Sequence, residues 1–128
     1  GKPIFGWIPV EPRVQAVRNN MVLAGDAAGH THPVTGAGIA NAMMAGRLAA
    51  RWAVKALREG DLGVLQGYGA TMEAELGETL RRGVKRRRLL ESNWHRLPEI
   101  LPCCWTAFRA YFSDDEVCVP VNEDRSRG

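Results

Sequence analysis

The pattern of apolar and polar positions along the chain shows one short, continuously apolar run and two long segments with helical periodicity. Residues 21–24 are continuously apolar and follow Asn19-Asn20, a pattern typical of a strand buried on both faces, as in parallel sheets covered by helices. The run stops at Gly25-Asp26, and a loop with several glycines follows. Residues 1–20 are rich in proline and glycine, which predicts an extended lead-in to the strand.

A long helix is predicted over residues 37–59. Thr35 or Gly36 can cap its start, and Gly60 stands where a helix end favours a residue that can adopt positive φ. Alanine dominates the other faces, which predicts burial on most sides and exposure on one. The exposed side is a basic stripe with spacings of four, four and three residues: Arg47, Arg51, Lys55 and Arg58.

A second long helix is predicted from Val64 or Thr71 to Trp94, since apolar residues recur every fourth position. Beyond a break at Pro98, residues 97–112 suggest one or two short helices interrupted at Pro102. The sequence therefore predicts a mainly α chain with a short β segment. The apolar stripe of the second helix comprises Met72, Leu76, Leu80 and Val84.

Composition is ordinary for a globular chain. A length of 128 residues suits about one domain, and 45% hydrophobic residues exclude the disordered and low-complexity classes. No stretch reaches the ~20 apolar residues of a membrane span, and the first residues lack a signal-peptide layout. Three cysteines, Cys103, Cys104 and Cys118, cannot form a disulfide framework and are expected as small buried hydrophobes. We therefore expect a reducing, cytoplasmic location.

The candidate chemistry lies in residues 25–39. A strand ending at Asp26 would deliver a carboxylate to the sheet edge where ligands of α/β folds bind, and an ionised carboxylate can accept hydrogen bonds from two ligand hydroxyls. Gly36 and Gly38 would open the helix with bare amides, which favour anionic groups by about 0.3–1 kcal/mol. This combination predicts a ligand that carries hydroxyls, such as a polyol or a ribose, together with an anionic group.

The same residues carry a family resemblance. The order G-D-A-A-G, three residues, then P-x-x-G-x-G-I resembles the second flavin-binding motif of FAD-dependent oxidoreductases, which include geranylgeranyl reductases and aromatic-ring hydroxylases. Gly29 and the Gly38-Ile39 pair favour the geranylgeranyl reductase branch, and residues 7–10 (Trp-Ile-Pro-Val) resemble its lead-in.

The resemblance implies a fold, a cofactor and a set of contacts. Residues 1–60 would be the C-terminal portion of an α/β FAD-binding domain (Rossmann-like, of the hydroxylase type), 61–121 a helical C-terminal region, and 122–128 a polar tail. Asp26 would hold a ribityl hydroxyl of FAD, and the amides of residues 36–39 would face the flavin pyrimidine edge. The implied cofactor-binding residues are Gly25, Asp26, Pro33, Gly36, Ala37, Gly38 and Ile39.

The parent enzyme would reduce C=C bonds of an isoprenoid substrate with electrons from NAD(P)H or ferredoxin. The sequence departs from such an enzyme because it lacks G-x-G-x-x-G: the run from Gly36 to Asn41 ends in Asn where the last glycine belongs, and the run from Gly67 to Met72 also fails. We therefore expect a C-terminal fragment without its N-terminal half, inactive alone. The alternatives are a flavin-dependent aromatic hydroxylase and a non-enzymatic basic module that binds anionic lipid or nucleic acid.

Three further features have more than one interpretation. His30 and His32 are too few ligands for zinc, so no metal is expected, and they serve either beside the flavin or as loop polarity. Residues 81–88 hold six positive charges and no acid, and are either a solvated helix face or a peripheral contact with anionic lipid headgroups. The absence of interleaved aromatics there disfavours nucleic acid. The aromatic residues of 94–112 suit a core or an isoprenoid lining.

Overall fold

The computed structural model describes residues 2–3 and 6–113, which form a mainly helical structure with one two-stranded sheet. This confirms the prediction of a mainly α chain with a short β segment. The chain divides into two compact units, Gly1–Val84 and Lys85–Gly128, each considered by itself below. The predicted boundary after residue 60 stays a prediction. The predicted tail over 122–128 and Cys118 lie outside the described residues.

The strands form a hairpin. Strand β1 (Val17–Arg18) pairs antiparallel with β2 (Met21–Val22), so that Val17 lies opposite Val22. Asn19 in the turn has φ of 53°, a conformation that asparagine tolerates better than most residues. The expectation of one strand buried on both faces is therefore wrong in the described region: Met21 is exposed and Val22 half-buried. The apolar run has one flanking strand, and that strand is antiparallel.

Helix α1 (Ile39–Glu59) begins two residues later than predicted. Its N-cap is Gly38, and no side chain caps it, so the expectation of Thr35 or Gly36 as the cap is wrong. The predicted end is confirmed, since Gly60 adopts φ of 66° and its N–H donates to the Ala56 carbonyl. The basic stripe is exposed as predicted, and Ala45, Leu48 and Ala56 are buried. The expectation of burial on most sides is wrong, because apolar residues beside the stripe, among them Ile39 and Leu57, are exposed as well.

Helix α2 (Gln66–Ser92) follows a short 3₁₀ turn at Leu62–Leu65. The Asp61 carboxylate caps that turn by accepting a hydrogen bond from the Gly63 N–H at 2.7 Å. Met72, Leu76 and Leu80 are buried, which confirms the predicted stripe for these three residues, and Val84 is half-buried. The core of the first unit joins these residues to the inner face of α1 and the hairpin, and comprises Val17, Ala45, Leu48, Ala56, Leu65, Tyr68, Met72, Leu76 and Leu80.

Tyr68 connects α2 to the hairpin. Its side chain is fully buried, and its hydroxyl donates a hydrogen bond to the Leu23 carbonyl at 2.9 Å. Burial raises the pKa of this phenol above its usual value, so the hydroxyl keeps its proton at neutral pH. Because Leu23 lies three residues before Asp26, this bond helps to fix the position of the loop that follows.

Replacing Tyr68 with phenylalanine is expected to destabilise the chain by about 1–2 kcal/mol, since the variant removes the donor and leaves a partly buried carbonyl without it. Urea unfolding followed by circular dichroism would show a lower midpoint with an unchanged m-value. An unchanged midpoint would mean that water replaces the hydroxyl without cost.

The second unit contains the end of α2, a 3₁₀ turn at Trp94–Arg96, helix α3 (Leu97–Cys104) and a 3₁₀ turn at Arg109–Phe112. The expected interruption at Pro102 is wrong, because α3 continues two residues past it. Cys104 is buried, as predicted, and Cys103 is half-buried. The core interpretation of the aromatics fails for four of them, which are exposed: Trp94, Trp105, Phe108 and Phe112. Among the described helices none has the length and apolarity to cross a bilayer.

Candidate functional site

Asp26 lies on the surface, in a 3₁₀ turn formed by Gly25–Ala28. The turn closes through two backbone hydrogen bonds, from the Gly29 N–H to the Asp26 carbonyl at 3.0 Å and from the His30 N–H to the Gly25 carbonyl at 3.1 Å. The neighbouring Ala27 is exposed and has a one-carbon side chain. A planar group could therefore approach the carboxylate along this backbone without displacing a large side chain.

The carboxylate of Asp26 and the start of α1 lie together. The Thr31 hydroxyl donates a hydrogen bond to Asp26 Oδ1. A β-carbon placed on Gly38 would lie 3.4 Å from that oxygen and 3.2 Å from Thr31 Oγ1, so a larger side chain there would crowd both groups. The structure thus brings together two predicted site residues, Asp26 and Gly38.

Thr31 is a site residue that the sequence analysis missed. Its side chain is almost completely buried beneath the loop, and it orients one oxygen of the Asp26 carboxylate. Within the described residues no other hydrogen-bond donor contacts this carboxylate, so most of its acceptor capacity faces outward. The sequence offers one signal for Thr31: it places a hydroxyl five residues after the aspartate, in a glycine-rich loop that could bring the two side chains together.

The loop before α1 is held by His32. Its Nδ1 accepts hydrogen bonds from the N–H groups of Val34 and Thr35, each at 3.3 Å. Its backbone N–H donates to the Ala37 carbonyl at 2.8 Å, and its carbonyl accepts from the Gly36 N–H at 2.9 Å. The imidazole therefore acts as a loop cap, in line with the loop-polarity interpretation.

These bonds narrow the set of amides that can face a ligand. The Gly36 N–H donates to His32, and the Ala37 N–H donates to Thr35 Oγ1 at 3.3 Å. The amides at the first turn of α1, beginning with Gly38 and Ile39, have no side-chain cap and no intrahelical acceptor. Ile39 is exposed, and it directly follows Gly38, which lies against the Asp26 carboxylate.

Helix α2 supports this loop from behind through Pro33, which is buried. A β-carbon on Gly83 would lie 2.7 Å from Pro33 Cδ and 3.5 Å from His32 Nε2, so only glycine lets the helix approach the loop this closely. Pro33, a predicted site residue, therefore positions the loop. The sequence did not indicate this role for Gly83, because a single glycine inside the basic run carries no local signal of a contact with Pro33.

His30 points away from the surface and is 5% exposed. Its Nδ1 has no hydrogen-bond partner, and its backbone carbonyl accepts a bond from Asn41 Nδ2 at 2.7 Å. Burial lowers the pKa of both His30 and His32 below the usual value for an imidazole, which keeps both neutral at pH 7. The described residues contain no cluster of three or more potential metal ligands.

We expect the chain to lose stability as the pH falls below about 6.5, the unfolded pKa of histidine, because protons bind the unfolded chain more readily than the folded one. Stability is fully present above that pH and decreases, by at most about 1.4 kcal/mol per pH unit for each histidine, until the lowered folded pKa is passed. Urea titrations between about pH 5 and pH 7 measure this slope.

The variant His32→Asn tests the assignment to the loop, since an amide oxygen can accept the bonds from Val34 and Thr35 without titrating. It should flatten the pH dependence while retaining stability at neutral pH. A slope identical to that of the unsubstituted chain would assign the effect to other groups.

The basic run of residues 81–88 is largely paired within the chain. Arg82 lies 2.6 Å from Glu78, Arg87 lies 2.7 Å from Glu91, and Arg81 pairs with Glu73. Arg86 is buried and donates to the Ser113 carbonyl at 2.7 Å. The glutamates that pair with these arginines lie on the same helix, just before and just after residues 81–88. The segment contains no acid in sequence, but its positive charge is partly neutralised in the folded helix.

Known proteins with similar sequences belong to the family that residues 25–39 resemble. The chain is 39% identical over 80 residues to digeranylgeranylglycerophospholipid reductase 2 of Methanococcoides burtonii, covering 60% of this chain and 20% of that protein. It is 42% identical over 64 residues to the digeranylgeranylglycerophospholipid reductase of Methanosarcina mazei, covering 49% and 16%. With that of Methanoculleus marisnigri it shares 42% identity over 86 residues, covering 64% and 22%.

These matches confirm the resemblance to the geranylgeranyl reductase family. The chain spans about a fifth of the length of these curated relatives. No protein-family profile matches it. No solved structure is significantly similar to it either.

Proposed function

We propose that this chain supplies the flavin-contacting loop and helix of an FAD-dependent oxidoreductase that reduces C=C bonds of an isoprenoid substrate. The observation that carries the proposal is the placement of the exposed Asp26 carboxylate against Gly38 at the uncapped start of α1. A hydrogen-bond acceptor for a polyol and an electropositive helix end lie side by side, which suits the ribityl chain and the electron-rich edge of a flavin.

The described residues fit such a cofactor. Thr31 holds one oxygen of Asp26, which leaves acceptor positions for ribityl hydroxyls. Ala27, beside Asp26 in the turn, and Gly36 and Ala37, in the loop before α1, are small and exposed, so a tricyclic ring in contact with them would meet backbone rather than bulky side chains. When bound, the flavin supplies two-electron redox chemistry.

The protein's own contribution would be electrostatic and positional. The first amides of α1 would face the pyrimidine edge, where negative charge accumulates on reduction, and would favour the reduced form by stabilising that charge. His32 and Pro33 would keep the loop in place, and Tyr68 would fix its entry through Leu23. In this proposal no side chain of the described residues transfers a proton to the substrate.

The substrate class rests on the relatives. Their name denotes a reductase of a digeranylgeranyl glycerophospholipid, and we extend this to a prenyl lipid for the enzyme that contains this segment. Electrons would come from NAD(P)H or ferredoxin, and the protein would work in the cytoplasm. The complete α/β FAD-binding fold would be formed with a further segment carrying G-x-G-x-x-G.

A chimera tests the proposal: this chain replaces the matching segment of the Methanococcoides burtonii reductase. The purified chimera should carry a yellow flavin with absorbance near that of the unsubstituted reductase, and should reduce a prenyl lipid when supplied with reductant. A colourless, folded chimera beside a flavin-bearing reductase would overturn the proposal.

Oxygen consumption separates the hydroxylase alternative. A reductase should consume its electron donor only with a prenyl substrate, and anaerobic conditions should not slow it. Turnover that requires O2 and an aromatic substrate would favour the hydroxylase. A chimera that folds and binds lipid vesicles or an oligonucleotide without any flavin would favour the non-enzymatic module.

A further inference from the structure

The outer face of α1 carries cations without acidic partners. Arg47, Arg51 and Arg58 are exposed, and none of them forms an ion pair within the described residues. Lys55 lies 4.0 Å from Glu59, at the limit of an ion pair, and its ammonium sits 5.0 Å from the centre of the Trp52 ring. The stripe therefore presents net positive charge along most of the helix.

An apolar edge runs beside these cations. On a helix of 3.6 residues per turn, residues 47, 51, 54 and 58 lie within about 60° of one another, and positions 39, 43 and 57 flank them on one side. Those flanking side chains are largely exposed: Ile39 by 82%, Met43 by 73% and Leu57 by 78%. The side of α1 that faces away from the core is thus itself divided into a basic edge and an apolar edge.

A shallow groove of about 640 Å³ lies along this face, lined by the four basic side chains, by Ala50 and Val54, and by one acid, Glu59, at its C-terminal end. Its lining combines guanidinium and ammonium donors with the carbon of Ala50, Val54 and the stems of the basic side chains. A phosphate-bearing headgroup matches the donors, and the acyl carbons below it match the carbon of the lining.

The contrast with residues 81–88 decides which basic segment is available. There, Arg82 and Arg87 already have carboxylate partners at 2.6 and 2.7 Å on their own helix. On α1, Lys55 lies 4.0 Å from Glu59, whereas Arg47, Arg51 and Arg58 have no carboxylate partner among the described residues. Residues 81–88 contain more cations, but α1 has more cations that are free of acidic partners among the described residues. We therefore assign the binding of an anionic partner to α1.

We propose that the outer face of α1 binds the surface of an anionic phospholipid bilayer, with the helix axis parallel to the membrane plane. Cations would contact headgroup phosphates while Met43, Val54 and Leu57 enter the headgroup region, the arrangement by which interfacial helices bind. An acidic protein or a nucleic acid would match the basic edge but would leave the apolar edge exposed to water. The proposal rests on residues 43–58 of α1 and does not require a flavin at the first turn of the helix, where Ile39 lies.

Sedimentation with vesicles tests this on the full 128-residue chain. The chain should bind vesicles of phosphatidylcholine with about one-third phosphatidylserine, should bind pure phosphatidylcholine at least tenfold more weakly, and should be released by added salt. The double variant Arg47→Gln, Arg51→Gln should lower the partition coefficient about thirtyfold, from about fivefold for each cation lost. Circular dichroism checks that the variant remains helical.

A matched control is the double variant Arg82→Gln, Arg87→Gln, which changes net charge equally but removes paired cations. It should lower vesicle binding less than threefold. Equal losses in the two double variants would show that net charge alone governs binding, and would overturn the proposal. So would binding to an oligonucleotide or to an acidic protein with no binding to anionic vesicles.

The apolar edge is tested by Leu57→Gln at constant charge. A clear reduction of vesicle binding supports insertion into the headgroup region, whereas undiminished binding would reduce the contact to simple charge attraction and overturn the parallel-helix arrangement. Because none of these variants touches residues 25–38, a failure here would leave the flavin proposal unaffected.

Discussion

Replacing Asp26 with alanine is expected to remove FAD from the reductase chimera during purification. A hydrogen bond to a charged group contributes about 1.5–3 kcal/mol, so losing one should weaken cofactor binding roughly ten- to hundredfold. The variant also leaves the buried Thr31 hydroxyl without its acceptor, at a cost of about 1–3 kcal/mol, so urea unfolding must show that the chimera is still folded when its flavin is counted. The measurement is flavin absorbance per mole of purified protein, followed by titration with added FAD.

Two variants make the result interpretable. Asp26→Asn keeps one oxygen that can accept from the Thr31 hydroxyl and replaces the other with an NH2 donor, which a ligand hydroxyl can still meet as an acceptor, so it should lose less flavin than the alanine variant. Asp61→Ala removes an exposed aspartate that caps a turn elsewhere in the same unit, and should lower stability by about 1 kcal/mol with full flavin retention. Flavin content in Asp26→Ala equal to that of the unsubstituted chimera would refute the role of this carboxylate.

The helices were the part of the fold that the sequence predicted well. Helical spacing placed the buried stripe of α2, including Met72 and Leu80, and the glycine after α1 marked its end. Both signals are local, because a period or a positive-φ residue acts within a few positions of itself. The hairpin lacked such a signal. A continuous apolar run reads the same whether its neighbour in space is a parallel strand or the antiparallel β1.

The candidate site divides in the same way. The motif around Asp26 and Gly38 was visible because those residue types and spacings carry the chemistry. Thr31 and Gly83 were not visible, since each matters through a residue that folding brings to it, Asp26 in one case and Pro33 in the other. A threonine among glycines and a glycine among arginines look ordinary until the tertiary contact is known.

Charge shows the same limit. Counting along the chain drew attention to residues 81–88, whereas the structure pairs Arg82 and Arg87 with acids one helical turn away. The stripe on α1 looked like ordinary solvated polarity because four cations over 12 positions are common on an exposed helix face. Which cations have acidic partners depends on side-chain geometry, and that geometry makes the stripe on α1, rather than residues 81–88, the better candidate for binding an anionic surface.

The substitution Gly29→Ala is expected to have the largest effect on stability, a loss of more than about 3 kcal/mol. Gly29 has φ of 72°, which costs a residue with a β-carbon about 1–2 kcal/mol. A β-carbon there would also collide with the Glu11 carbonyl oxygen and lie 2.8 Å from Pro12 Cα. These are backbone atoms, so no side-chain rotation can relieve the contact.

Relief would require residues 11–13 to move away, and that would break the hydrogen bond from the Arg13 N–H to the Ala28 carbonyl at 3.0 Å. Gly60→Ala is the matched control: its φ of 66° is nearly the same, but no atom lies within 4 Å of the added carbon, so it should cost only about 1 kcal/mol. Urea unfolding of both variants gives the difference directly. Equal losses would show that backbone conformation alone governs Gly29, and that the segment crossing it yields without cost.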